Sequence, residues 1–87
     1  MADSEACRAR TREIIQHLAP AGVTACAPGD LLLDDLAFHS LALVELAFSL
    51  EEEFDLEPIT YEQAQHIFTV GDVEEFVVAA IRLLEAS

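Results

Sequence analysis

The sequence predicts an all-α fold, a four-helix bundle in which the first loop is long and the third helix is short. Apolar residues recur at three- and four-residue spacing in separate segments, and most of the Pro and Gly residues fall in the connections. Hydrophobic residues make up 53% of the chain, which is enough for a core. A length of 87 residues favours a single small domain over residues 1–87.

The first predicted helix covers about residues 4–18, with Ser4 as a suitable N-cap. Pro20 and Gly22 end it, because neither continues a helix readily. Its apolar side comprises Cys7, Ile14, Ile15 and Leu18.

A long connection follows, over residues 19–39, and Pro28 and Gly29 lie inside it. Loops of this length are uncommon in small domains and are often functional. We expect its apolar residues to hold it against the core: Leu31, Leu32, Leu33, Leu36 and Phe38.

The second predicted helix covers residues 40–54, and Pro58 breaks the chain after it. Glu45, Glu51 and Glu52 form its outer face. A core stripe at helical spacing comprises Leu43, Leu46, Ala47, Leu50 and Phe54, and Leu41, Val44 and Phe48 widen the apolar surface.

Two further helices complete the prediction. A short one covers about residues 60–67, with Thr60 as N-cap and Gln63 at the capping-box position. The last covers about residues 70–85, and its apolar stripe comprises Val73, Phe76, Val77, Ala80, Ile81 and Leu84.

The charge is strongly acidic, with a net value of -13, and no Lys or Arg lies between Glu13 and Ile81. Nucleic acid and anionic membrane surfaces are therefore disfavoured as partners, since both need clustered basic residues. The acidic surface favours basic protein partners, although solubility alone also accounts for it. The basic residues are Arg8, Arg10, Arg12 and Arg82.

Targeting and metal signals are missing from the sequence. Cys7 and Cys26 do not make a disulfide framework, and no Cys/His spacing resembles a zinc site. The first residues lack the apolar segment of a secretory signal, and no apolar stretch reaches the length of a membrane span. We expect a cytoplasmic protein with free thiols.

Ser40, at the start of the second helix, taken alone predicts only an N-cap. Its surroundings, LLLDDLAFHSLALVELAFSLEEEF over residues 31–54, resemble the signature of the acyl carrier protein family: a Leu-rich loop, a serine triplet, a V-E-L segment and an L-E-E-E-F ending. The segment AQHIFTVGDVEEFV, over residues 64–77, is similar to that family's short third helix and final helix. The resemblance extends from about residue 10 to residue 85.

The resemblance implies that Ser40 carries 4′-phosphopantetheine, transferred from coenzyme A by a phosphopantetheinyl transferase, and that the arm holds acyl cargo as a thioester. The chain would then be a monomeric carrier without catalytic residues or metal ligands. Its partners would be ketosynthases, acyltransferases and other enzymes with basic surfaces, to which it delivers its cargo. It also implies a partner-docking face formed by Asp34, Asp35, Leu41, Val44, Glu45, Phe48, Glu51 and Glu52, and a cargo wall drawn from Leu46, Leu50, Phe54, Ile59, Ile67, Phe68, Val73 and Phe76.

Two of the three residues before Ser40 differ from the family pattern. Ala37 stands where most acyl carriers have Gly, and His39 stands where they have Asp. A His-Ser-Leu triplet is more familiar from peptidyl carrier domains. We expect Phe38 to be partly exposed and either to shield the arm or to pack on the loop.

Several hypotheses about the function therefore stay open. The unusual triplet and the arginine-only basic content favour specialised polyketide or polyene biosynthesis by a free-standing carrier. A carrier of primary fatty-acid synthesis and an aminoacyl carrier of a non-ribosomal pathway are alternatives. A helical interaction module that never receives the arm is an alternative from another class.

Overall fold

The computed structural model describes residues 4–86, and this part of the chain contains four α-helices and no β-strand. The helices are α1 (Ser4–Leu18), α2 (Ser40–Phe54), α3 (Tyr61–Ala64) and α4 (Val70–Ala86). The predicted all-α bundle, with its long first loop and short third helix, is confirmed. The three long helices agree with the predicted bounds to within one residue.

The third helix is shorter than predicted, because it ends at Ala64 and not at Ile67. The predicted capping box is confirmed: the Thr60 hydroxyl accepts a hydrogen bond from the Gln63 amide at 3.1 Å, and the Gln63 side chain accepts one from the Thr60 amide at 2.9 Å. Every residue from Thr60 to His66 is exposed, so no packed face extends the helix beyond its cap.

The core lies between α1, α2 and α4, and the first loop closes it. Leu84 continues the predicted apolar stripe of α4, but the residue is 44% exposed and lies outside the buried core. Thr11 was not expected in the core, but it is fully buried, and its hydroxyl donates to the Cys7 carbonyl at 2.7 Å. The buried apolar residues of this core are Ile14, Ile15, Ala19, Leu32, Leu36, Phe38, Ala42, Leu46, Leu50, Val70, Val73 and Val77.

A buried carboxylate joins α1 to α4. Glu74 is 2% exposed, and its carboxylate lies 3.6 Å from the Arg8 guanidinium and 3.2 Å from Nε of Arg12. The contact with Arg12 is an ion pair without hydrogen-bond geometry. Arg8 also binds the exposed Glu75 at 2.7 Å. Two of the basic residues in α1 therefore compensate for the burial of one acid in α4.

The third arginine of α1 reaches a different helix. Arg10 binds Glu53, in the last turn of α2, at 2.6 Å, and Glu13, one turn along α1, at 3.1 Å. These partly exposed pairs contribute little to stability. They do occupy Glu53, so this acid of the second helix is already paired within the molecule.

The first loop is fastened to the segment that leads into α4. The Leu32 amide donates to the Phe68 carbonyl at 3.0 Å, and the Gly71 amide donates to the Pro28 carbonyl at 2.8 Å. A Cβ at Gly71 would meet that carbonyl at 3.0 Å, so glycine permits the close approach. Leu32 and Leu36 are buried as predicted, whereas Leu33 is 60% exposed and does not anchor the loop.

The start of α4 is held by a reciprocal pair. The Asp72 carboxylate accepts hydrogen bonds from the amides of Phe68 at 2.9 Å and Thr69 at 3.1 Å, and the Thr69 hydroxyl accepts one from the Asp72 amide at 3.0 Å. Backbone donors favour the charged carboxylate, so these bonds hold the pKa of Asp72 below its usual value.

Candidate functional site

Ser40 is the first residue of α2, at the point where the long loop meets the helix. Its side chain is exposed. Within residues 4–86 we find no hydrogen bond of its hydroxyl. An enzyme approaching from solvent can therefore reach the hydroxyl without breaking an internal contact.

The residue that caps α2 is His39 and not Ser40, so the simplest interpretation of Ser40 is wrong. His39 has extended backbone angles, with φ -114° and ψ 178°, and its carbonyl accepts the Leu43 amide at 2.9 Å. Its Nδ1 atom accepts the Ala42 amide at 3.4 Å. An N-cap side chain satisfies an amide of the first turn, and here the imidazole does so in place of a hydroxyl or carboxylate. The serine hydroxyl is consequently left available.

Phe38, which we predicted to be partly exposed, is only 2% exposed, and that prediction is wrong. The reason lies one residue earlier, where Ala37 has φ 60° and reverses the backbone. The Phe38 amide then donates to the Leu32 carbonyl at 2.9 Å, and the ring turns into the core. Phe38 thus packs in the core and anchors the segment before Ser40.

The electrostatics of this helix end favour an anion. The first amides of a helix have no partner within the helix, and the aligned peptide dipoles give this end partial positive charge. The first turn of α2 contains no acidic residue that would already occupy it. A phosphate esterified to Ser40 would lie beside these amides, so the residues present fit a phosphodiester.

Apolar side chains continue from Ser40 along one exposed side of α2. Leu41 is 64% exposed, Val44 48% and Phe48 60%. Their spacing of three and four residues places them together on the helix surface. Exposed apolar groups in a row are typical of a contact surface for another molecule.

The acids of the predicted docking face divide into two groups. Asp34, Glu45 and Glu52 are exposed, and we find no hydrogen bond of their carboxylates within the described residues. Asp35 instead accepts the Leu31 amide at 2.7 Å, and the half-buried Glu51 accepts the Ile59 amide at 3.0 Å. These two carboxylates hold loop backbone, a role that the sequence pattern did not indicate.

An apolar cavity of about 100 Å³ lies beneath α2, next to a larger open groove of about 510 Å³. Six of the predicted wall residues line the cavity, whereas Phe54 and Phe68 do not. Phe68 lines the groove instead, together with Leu33 and Tyr61, and all three are largely exposed. The predicted residues that do line the cavity are Leu46, Leu50, Ile59, Ile67, Val73 and Phe76, and Leu32, Leu43, Ala47 and Ala64 complete the lining.

The described residues show no grouping that would bind a metal ion. Among residues 4–86, no three His, Cys, Asp or Glu side chains lie close enough to share one. No helix in this part of the chain has the length and apolar character needed to cross a bilayer. Cys7 and Cys26 are free thiols, and burial raises the pKa of the Cys26 thiol.

The relatives found by comparison with known proteins are both named acyl carrier proteins. An acyl carrier protein of Caulobacter vibrioides is 46% identical over 71 residues, which cover 78% of this chain and 86% of that protein. The acyl carrier protein of Phenylobacterium zucineum is 46% identical over 71 residues, covering 78% of this chain and 85% of the relative. No family model matches the chain.

Two solved structures share the fold. A Mycobacterium tuberculosis protein described as a candidate acyl carrier protein superposes with a TM-score of 0.71 at 37% identity, over 84% of this chain and 95% of that one. An acyl carrier protein from Thermotoga maritima superposes with a TM-score of 0.74, over 93% of each chain. At 21% identity the second likeness concerns the fold alone.

Proposed function

Since the chain belongs to the acyl carrier protein family, we propose that it carries acyl groups on a 4′-phosphopantetheine arm attached to Ser40 and presents them to partner enzymes. The observation that carries this proposal is the exposed Ser40 hydroxyl, which makes no internal hydrogen bond in the described structure and begins a helix that favours an anion.

Attachment requires little from the carrier itself. A phosphopantetheinyl transferase would join Oγ of Ser40 to the pantetheine-side phosphorus of the coenzyme A pyrophosphate. The pyrophosphate linkage would break, adenosine 3′,5′-bisphosphate would leave, and the hydroxyl proton would pass to a base of the transferase. This chain contributes an accessible nucleophilic atom, a rigid helix start and amides that stabilise the resulting phosphodiester. When bound, the arm supplies a thiol that holds the acyl group as a thioester.

Intact-mass measurement tests the attachment directly. After incubation with coenzyme A and a broad-specificity transferase, we expect the wild-type chain to gain the mass of one phosphopantetheine. Ser40→Ala should gain nothing, whereas Ser49→Ala, in which the other serine of α2 is changed, should be modified like the wild type. The proposal fails if the wild type stays unmodified or if Ser40→Ala gains the same mass, and the chain would then be an interaction module.

The partner contact that we propose combines the exposed apolar side chains of α2 with its exposed acids. Leu41, Val44 and Phe48 provide apolar area, and Glu45 and Glu52 lie beside them on the same helix. Asp34 adds a third exposed acid from the loop, and Asp35 and Glu51, whose carboxylates also hold backbone, contribute negative charge. Complementary charge accelerates encounter with basic partners, so we expect ketosynthases and acyltransferases to dock here.

Charge reversal tests the docking face. Glu45→Lys and Glu52→Lys should each reduce kcat/KM for acyl transfer with a basic partner enzyme about fivefold at low salt, and added salt should shrink the difference. Glu57→Lys is the matched control, since Glu57 is exposed and lies in the loop after α2. If all three variants lose the same activity, the effect is one of total charge and not of a docking face.

The His-Ser-Leu triplet leaves two cargo classes to compare. We favour acyl cargo of specialised polyketide or polyene biosynthesis in the cytoplasm, with primary fatty-acid synthesis as the nearest alternative. The triplet is unusual for an acyl carrier and more familiar from peptidyl carrier domains, so it also keeps an aminoacyl cargo as the alternative. Loading assays with a malonyl transferase and with an adenylation enzyme separate these cargos.

A further inference from the structure

We propose that Phe38 is a positioning residue for the modification of Ser40: its buried ring sets the direction in which the chain enters α2, and with it the place of the Ser40 hydroxyl. This proposal rests on the proposed function, because it concerns how Ser40 is presented to a phosphopantetheinyl transferase. Three observations carry it: the burial of Phe38, the left-handed turn at Ala37, and the hydrogen bond that joins Phe38 to Leu32.

Ser40 needs support from outside the helix because of its place in α2. It is the first helical residue, and the first amides of a helix have no partner within the helix. The helix therefore holds Ser40 on its C-terminal side only, and helix ends without further support fray. Since the Ser40 side chain is exposed and not packed in the core, its position depends on the residues that precede it.

Phe38 supplies that support from the core. It is 2% exposed and belongs to the core that α1, α2 and α4 form. With His39 as N-cap, Phe38 is the residue before the cap and Leu43 is the fourth residue of the helix. Apolar residues at these two positions form a hydrophobic staple, which fixes the angle at which the chain enters the helix. Leu43 is partly buried against the same core, so both halves of the staple are anchored.

The backbone of Phe38 is tied to a second segment of the chain. Its amide donates to the Leu32 carbonyl at 2.9 Å, and the Leu32 amide donates to the Phe68 carbonyl at 3.0 Å. Leu32 is itself only 3% exposed. The chain is therefore fixed two residues before Ser40, by the ring in the core and by the amide on the loop.

The turn at Ala37 shows that the anchor is held against a backbone preference. Within residues 4–86, the non-glycine residues with positive φ are Ala37 and Asp55. Asp55 ends α2, where the left-handed conformation is common, whereas an alanine rarely adopts it. Ala37 is exposed, so burial of its own side chain does not impose φ 60°. Strained backbone persists where the surrounding structure imposes it and clusters at functional sites, and here the burial of the Phe38 ring imposes it.

Loss of the ring should affect the reacting atom and spare the binding surface. The exposed side chains of α2 do not depend on Phe38, so a transferase that binds them should show an unchanged KM. The Ser40 hydroxyl would lose its fixed place, and a misplacement of 1 Å can slow a reaction by roughly a hundredfold. Because the helix still holds Ser40 on its other side, we expect a fall in kcat of about tenfold.

Initial rates of transfer from coenzyme A test the positioning role. Phe38→Ala should lower kcat about tenfold at unchanged KM, whereas Phe38→Leu, which keeps a large apolar side chain, should lower it only about twofold. Ile15→Ala is the matched control, because Ile15 is buried in the same core but belongs to α1. Rates are measured at a temperature at which circular dichroism shows each variant folded, and Ile15→Ala should then keep the wild-type kcat. Equal kcat values for Phe38→Ala and Ile15→Ala overturn the proposal.

Position 37 tests the same anchor without removal of a buried side chain. Ala37→Val opposes the left-handed turn, because β-branched residues rarely adopt positive φ, and it should lower kcat about fivefold. Ala37→Gly accepts the turn and should keep kcat within about twofold of the wild type. If Phe38→Ala does not fold, this pair decides, and equal kcat values for its two members overturn the role of Phe38 while the carrier function stands. An unmodified wild-type chain refutes the carrier function instead.

Discussion

The ion pairs around Glu74 allow a quantitative prediction about stability. Replacing Arg12 by Ala removes the cation whose Nε lies 3.2 Å from a carboxylate that is 2% exposed. Breaking a fully buried pair costs about 3–5 kcal/mol, because one charge is left without compensation. Here the Arg12 side chain is 34% exposed, and the Arg8 guanidinium remains 3.6 Å from the same carboxylate. Both facts reduce the cost, and we expect Arg12→Ala to lower the free energy of unfolding by about 2 kcal/mol.

That loss is large for a chain of this size. A domain of 87 residues has a free energy of unfolding of about 4–13 kcal/mol. A loss of about 2 kcal/mol should lower Tm by roughly 8–16 °C. Urea unfolding followed by circular dichroism gives the free energy, and its denaturant slope shows whether the folded state has stayed compact.

Arg10→Ala provides the matched control, since it removes the same side chain from the same helix but breaks only partly exposed pairs. Its effect on stability should be much smaller. A double variant, Arg12→Met with Glu74→Met, should recover most of the loss, because it removes the buried charge together with its partner. Equal destabilisation by Arg12→Ala and Arg10→Ala would refute the reasoning.

Further predictions concern loop and helix ends. Asp72→Asn should lower stability by about 1 kcal/mol at pH 7. The pKa of Asp72 is lowered in the folded state, so its contribution to the free energy of unfolding is complete above about pH 4. The Tm values of wild type and variant in thermal scans should converge as the pH falls below that value. Ala37→Gly should raise stability by about 0.5–1 kcal/mol in urea unfolding, because φ 60° strains an alanine, and a decrease would contradict this. Glu51→Lys should lower stability by about 1 kcal/mol through loss of the bond to the Ile59 amide, whereas Glu52→Lys should leave the urea midpoint unchanged.

The helices were predictable because their signals are local. The apolar stripe of α2 repeats at helical spacing over residues 40–54, and Pro58 limits it, so both ends followed from the sequence. The serine at its start was equally visible. The details around that serine were not, because they depend on one backbone angle. Only a glycine at position 37 would have signalled the left-handed turn that buries Phe38 and leaves His39 extended.

Burial of an acid depends on partners that are distant in sequence. Glu74 looks like a solvated residue of α4, because nothing within a few positions of it is basic. Its partners, Arg8 and Arg12, come from α1, more than sixty residues earlier. Leu84 shows the opposite limit: it continues the apolar period of α4, yet the residue is 44% exposed. Periodicity identifies which residues share a face and leaves open what covers that face.

The brevity of α3 has a consequence for the cavity beside it. A single capped turn is far shorter than the roughly 12–15 residues that an isolated helix needs in water, and its residues bury no apolar face. Native-state hydrogen exchange should therefore find α3 opening at a small fraction of the free energy that protects α1 and α4. Ala64 and Ile67 form part of the cavity wall, so each such opening enlarges the cavity while the long helices stay folded. The cavity volume is then an ensemble average, set by the least protected segment of the chain.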